Sequence, residues 1–266
     1  MKKMILIALC IITTSISYSQ SDTLQTKLNS ILKEADLLYN YEKIAWNASD
    51  LLMSKAKLKR NYGGYVIYHS NDTIYASFID KTQKNRIAKY SFVTANLNKP
   101  FDIDTKKSEL SNIEQKYLDV KIKIIKQLSD PKYKIGFPEG FNPNLVLLKE
   151  PQGYKLYILM GTTKPGLIPF GNDYLFHSDL NGKIIEWQKF HSRVIPAHSK
   201  MPNGTVVISA VHSHLKTTPY ITATDICTFR LYGNLVGMKE FMVLSTSLGK
   251  YFKYNIDTNT IEVTEP

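Results

Sequence analysis

Cysteine is nearly absent from this chain, with only Cys10 and Cys227 among 266 residues. A disulfide framework is excluded, and so is any zinc motif built on paired cysteines. Cys227 has Ile226 beside it and Phe229 two residues on, the setting of a buried and inert thiol. Arginine is scarce too: Arg60, Arg86, Arg193 and Arg230 stand against a majority of scattered lysines. Phosphate and nucleic-acid sites favour clustered arginine with its planar fork, so no nucleic-acid partner is expected. The formal net charge of +11 reads instead as a solvated basic surface, or as attraction to an anionic cell-surface polymer. Gly-rich phosphate loops and a G-x-S-x-G elbow are also missing.

Long apolar runs are equally rare. The one that stands out, Met4 to Ile12, follows Met1-Lys2-Lys3 and is too short to span a bilayer, which takes about 18 residues or more. A basic start, an apolar run and the small-x-small pattern Ser17-Tyr18-Ser19 have the form of a secretory signal peptide over 1–19. The expected product begins at Gln20, is secreted or periplasmic, has no membrane span, and carries +9 after loss of Lys2 and Lys3.

What the chain does contain is two kinds of periodicity. Residues 22–58 read as helical, with Asp22 and Gln25 as a cap and Leu24, Leu28, Ile31, Leu32, Ala35 and Leu38 at helical spacing, and the pattern continues to Arg60. After Gly63-Gly64 the period becomes two, which predicts a three-stranded antiparallel meander. The polar connection 96–107 separates an N-terminal helical and β-meander region, 20–106, from a C-terminal region, 107–266. That second region opens on a capping box, Ser111 with Glu114, and a helix over about 112–128. Strands follow from Asn144, a short strand ends near His212, a helix is expected from Ala223 to Leu235, and two or three strands close the chain. The fold class is α+β: N-terminal helices and an antiparallel meander, then a mixed sheet with flanking helices.

The chemistry is concentrated in HSHLKTTPYITATD, residues 212–225. Histidines at i and i+2 on an extended segment point to the same side, so both rings can converge on one ion. A carboxylate is a common third ligand, and Asp225 supplies one if the loop folds back against the strand end. The stretch Thr222-Ala223-Thr224-Asp225 is also a capping box, which accounts for Thr222 and Asp225 without any metal but leaves the paired histidines unexplained.

With His212, Ser213, His214, ten intervening residues and Asp225, and with Thr222 three before the aspartate, the segment resembles the JAB/MPN, or JAMM, zinc metallopeptidases. Their motif is His-x-His, ten residues, Asp, with serine at the position of Thr222. Leu215 stands where the family usually has proline. The resemblance covers 200–260, and the order of elements extends it back to the helix at 112. It implies a JAB/MPN-like fold, Zn2+ held by His212, His214 and Asp225, an oxyanion contact from Thr222, and a peptide or amide substrate. An upstream glutamate acts as general base in that family, for which Glu186 and Glu139 are the candidates and Glu150 a third. His191 and His198 precede the motif and are candidates for a supporting contact. Two functions stay open: an exported zinc-dependent hydrolase of peptidase or isopeptidase type, or a non-catalytic envelope or interaction protein on the same fold.

Overall fold

The computed structural model describes residues 23–266 in full; the leader and cleavage site expected over 1–19, and the cap expected at Asp22, lie outside them. Helix α1 (Lys2–Met53) buries Leu28, Ile31, Ala35, Leu38, Tyr41, Ile44, Ala48 and Leu52, a stripe repeating every three or four residues. The stripe ends at Leu52. There the backbone leaves the helix at Lys55, and the short α2 (Ala56–Asn61) buries nothing, so the helical pattern read as far as Arg60 divides into two helices there.

The meander forms as its period predicts. Strands β1 (Tyr62–Ser70), β2 (Thr73–Asp80) and β3 (Asn85–Phe92) pair antiparallel in sequence order. Two short strands, β4 (Asp102–Asp104) within the polar connection and β5 (Ser108–Glu109) just after it, pair antiparallel with β3. Helix α3 (Asn112–Gln127) starts on the expected box: Glu114 N donates to Ser111 Oγ, and Ser111 N donates to the Glu114 carboxylate.

A second antiparallel sheet has the order β10-β9-β7-β6, from β6 (Asn142–Glu150), β7 (Gly153–Gly161), β9 (Tyr174–Asp179) and β10 (Ile184–Lys189). Between and after these lie β8 (Leu167–Gly171) and β11 (Val194–His198), a two-stranded ladder that periodicity does not reveal. Each contains a proline, which argues against a strand interior. The ladder tolerates them because Pro169 and Pro196 face each other in register.

The last sheet is mixed, ordered β12-β13-β14-β15 from β12 (Ser209–His214), β13 (Glu240–Ser245), β14 (Lys250–Asn255) and β15 (Thr260–Thr264). β12 runs parallel to β13, so a crossover must join them, and α4 (Ala223–Val236) is that crossover. It starts at the Thr222 cap and stops at Gly237, whose φ of +75° suits a residue without Cβ. α1 packs on α4, with Trp46 edge-on to Tyr232 at 5.1 Å and Arg230 paired to Asp36. One apolar cluster holds Ile44 and Phe92 together with Tyr157, Phe229 and Phe241, so both sides of the 96–107 connection share a core. Cys227 lies buried within it, its thiol pushed up by burial. Among the described residues, no helix is long and apolar enough to cross a membrane.

Candidate metal centre

Four side chains from three parts of the chain meet at the end of β12. His212 and His214 occupy the inward positions of that strand, while Val211 and Ser213 between and before them are exposed. This is the same-side convergence that i, i+2 spacing implies. Asp225 comes from the first turn of α4, brought back by the loop 215–222. The fourth is His191, from the irregular segment after β10. All four are buried, and their ligand atoms lie within 4.8 Å of one another.

The distances suit one ion. His191 Nε2 is 2.7 Å from His214 Nε2, and His212 Nε2 is 3.1 Å from His214 Nε2. Asp225 Oδ1 is 3.3 Å from His212 Nε2 and 3.6 Å from His191 Nε2, and Asp225 Oδ2 is 3.4 Å from His214 Nε2. Four donors placed about 2.0–2.1 Å from a tetrahedral centre stand about 3.3–3.4 Å apart, within the spread of these separations.

Hydrogen bonds behind the rings fix which nitrogens face inward. His214 Nδ1 is 2.7 Å from the Tyr220 carbonyl, which can only accept, so that nitrogen carries the proton. His191 Nδ1 donates to Asp173 Oδ1 at 2.7 Å. In neutral rings both Nε2 atoms are then bare lone pairs, and they confront each other at hydrogen-bond distance. A proton or a cation has to lie between them. Burial pulls His191 down, but the charges of Asp173 and Asp225 outweigh it and raise it to about 9. His214 moves the other way, lowered by burial. His212 lies near-parallel to the Phe241 ring at 6.2 Å and against Phe170 at 5.2 Å.

Asp225 serves two purposes. Its backbone N–H donates to Thr222 Oγ1, and its Oδ2 accepts from Thr222 N at 3.0 Å and from the Thr222 hydroxyl at 2.6 Å, completing the capping box. Its Oδ1 is buried and accepts no hydrogen bond. Burial alone would raise this carboxyl, but the three histidine charges hold it below the usual carboxylate range. The box and the ligand set coexist in one residue. The Thr222 hydroxyl is engaged with Asp225.

Sequence reading brought His212, His214 and Asp225 together but set His191 beside them as a supporting contact; its Nε2 in fact joins the donor set. Asp173 was missed. It follows Gly171 and Asn172, both with positive φ (+77° and +51°), and the turn aims its carboxylate at His191 and Thr224. An added Cβ at Gly171 would come within 2.5 Å of the Arg193 carbonyl and 3.2 Å of His191 Cβ, so glycine there lets the two segments meet. The Phe190 N–H also bonds the Asp173 carbonyl at 3.1 Å, tying the His191 segment to the turn.

The glutamates are elsewhere. Glu186 is exposed on β10 and Glu139 is exposed in the turn before β6. Neither belongs to the donor cluster or lines the cleft beside it. Glu150 pairs with Lys155 and His177, and His198 is exposed on β11. That cleft, of about 540 Å³, opens between the segments around His191 and His214.

No family model, curated protein or solved structure matches this chain. The JAMM resemblance therefore stands on the spacing from His212 to Asp225 and on the strand, loop and helix that carry it.

Proposed function

We propose that this protein binds one zinc ion through His191, His212 and His214 Nε2 and Asp225 Oδ1, as a centre whose four positions are filled by protein. The observation that carries the reading is the 2.7 Å approach of two Nε2 atoms whose other nitrogens are already donating. Three imidazoles and one carboxylate suit zinc, and the donor separations fit a tetrahedron. Asp173 and Tyr220 O behind the rings are the partners that metal-bound histidines generally have. Hydrolytic zinc sites keep one position for water, whereas four protein donors favour a non-catalytic centre pinning the His191 segment, β12 and α4 together. The leader-like pattern over 1–19 further supports export, so the proposed setting is the cell envelope or beyond it.

A second reading, the JAMM-like hydrolase, is favoured by the cleft beside the donors. It requires His191 to stand outside the coordination shell, with Asp173 behind it in the manner of a general base.

Metal analysis of purified protein is expected to give one zinc per chain, and His212→Ala with His214→Ala to give none. At a thousandfold excess of zinc over its Kd, the stabilisation is about 4 kcal/mol, or about 10 °C in Tm for a chain of this size. His191→Ala separates the readings. Loss of zinc affinity by about 100-fold or more supports the four-donor centre, while retained zinc with loss of a hydrolytic activity supports the hydrolase. A protein that neither holds zinc nor gains stability from it overturns both.

A further inference from the structure

Strand β12 carries more than ligands: among the described residues it pairs only with β13, leaving its other edge open. Natural edge strands are blunted by charge, proline or a bulge. β12, Ser-Ala-Val-His-Ser-His, has no charged residue or proline, and its ladder with β13 runs in unbroken register. The surrounding apolar side chains are also uncovered, with Ile208 76%, Val211 60% and Leu215 69% exposed.

The cleft follows this edge. Side chains that alternate between the two faces of a strand normally border different spaces. Here Val211 and Ser213 from one face and His212 and His214 from the other line the same cleft, so it runs along the strand's rim. Its opposite wall comes from Phe190, Arg193 and Ile195. Charge in this part of the chain has one sign: from Trp187 to Thr224 there are Lys189, Arg193, Lys200 and Lys216 and no acid. None of the four forms an ion pair with a described residue.

We infer that the open edge of β12 is a docking site for an extended, acidic segment of a partner protein, added as a further strand along the cleft. Main-chain hydrogen bonds to β12 supply affinity, apolar side chains at alternate positions cover Val211 and its neighbours, and acidic side chains meet Arg193 and the flanking lysines. A second copy of this chain is the poorer occupant, since edge-to-edge pairing of two β12 strands brings like charges together. The inference goes beyond the zinc reading and requires no metal chemistry.

The test uses the full chain, with zinc and with chelator, and two labelled peptides, acetyl-(Glu-Val)4-amide and acetyl-(Lys-Val)4-amide, followed by fluorescence anisotropy. The acidic peptide is expected to bind at least about tenfold more tightly, a difference of about 1.4 kcal/mol. Binding should slow hydrogen exchange at the β12 amides, which adsorption through side-chain charge would not do. Val211→Glu with Ser213→Glu lies on the exposed positions and should weaken binding by about tenfold or more while leaving Tm and zinc content unchanged. Arg193→Glu is expected to narrow the preference between the peptides. Equal binding of both peptides, or acidic binding without β12 protection, overturns the proposal. So does a dimer in analytical ultracentrifugation that Val211→Glu dissociates, which would assign the edge to a second copy.

Discussion

Two helices in this protein begin with the same device, and their fates differ. α3 starts with Ser111 and Glu114, α4 with Thr222 and Asp225, and in each a hydroxyl residue and an acid three positions on satisfy one another's backbone N–H. Both acids are buried. Around Glu114 every direction is answered: the Ser77 hydroxyl donates to Oε1 at 2.6 Å, Arg86 approaches the same oxygen at 3.4 Å, and Ser111 holds Oε2. Around Asp225 one oxygen is left open with two imidazole nitrogens facing it, and a third imidazole nitrogen lies against the other oxygen. The same device at a helix start thus yields a structural anchor in one place and a candidate ligand in the other, and the difference lies in the residues that the fold brings to the acid.

The comparison breaks most visibly on the structural side. Glu114→Ala removes a buried carboxylate that Ser77, Ser111 and Arg86 all contact, and leaves Arg86, whose side chain is only 13% exposed, with Asp104 at 2.7 Å as its remaining partner. Losing a buried charged acceptor that serves several donors, together with its half of a capping box, costs about 3 kcal/mol. The expected result is a large fall in stability by denaturant titration with zinc affinity of the folded protein unchanged. A Glu114 variant that loses zinc while staying folded would show that the two boxes are not independent.

Asp173→Asn probes the ligand side at one remove. The amide keeps the shape but removes the charge that orients His191 Nδ1, and loss of such a partner costs about 10–100-fold in metal affinity. Competition titration with a zinc chelator measures it. No change would place His191 outside the coordination shell, in favour of the hydrolase reading.

A third buried acid limits what an open oxygen alone can mean. Glu42 also has a buried oxygen without a hydrogen bond, yet its charged neighbour is Lys121 and no imidazole is near. Burial raises Glu42 from 4.5 to about 7, with Lys121 pulling it back. Burial lowers Lys121 to about 8 against the pull of Glu42. For Glu42 the raised folded value means stability present below pH 4.5 and lost as pH rises through 7; for Lys121 the lowered value means stability lost as pH falls through 8. The pair is least favourable when both are charged, between about pH 7 and 8. Glu42→Gln with Lys121→Met is expected to stabilise the protein there by about 1–4 kcal/mol, and by less at pH 5. Equal gains at both pH values would show that burial does not shift these groups. Asp225 differs from Glu42 not by its open oxygen but by the lone pairs that converge on it.

Local pattern made much of this legible. The meander, α3 with its box, the strand delivering His212, and α4 with its Thr222–Asp225 box follow from period and capping chemistry. The candidate ligands close to one another in sequence, His212, His214 and Asp225, were readable from their spacing. His191 was readable only as a supporting contact and Asp173 not at all, because their meeting depends on β9 pairing with β10 and on the Gly171 turn reaching the His191 segment, contacts with no local signature. β8 and β11 were hidden by prolines that only their mutual register excuses.

The smallest expected effect distinguishes cap from ligand holder within Thr222 itself. Thr222→Ala removes the acceptor for Asp225 N and the 2.6 Å bond to Oδ2, while the Thr222 backbone N–H still holds Oδ2 at 3.0 Å. As a cap alone the hydroxyl is worth about 1 kcal/mol, a fall of about 2–4 °C in Tm for a chain of this size. If the hydroxyl also steadies the carboxylate for zinc, the loss must be greater with metal bound than without, because only the bound state draws on the position of Oδ1. Thermal melts of the variant with zinc and with chelator are expected to show that excess, and Thr222→Ser to abolish it by restoring the hydroxyl. An equal loss in both conditions would return Thr222 to the plain capping role that Ser111 plays at α3.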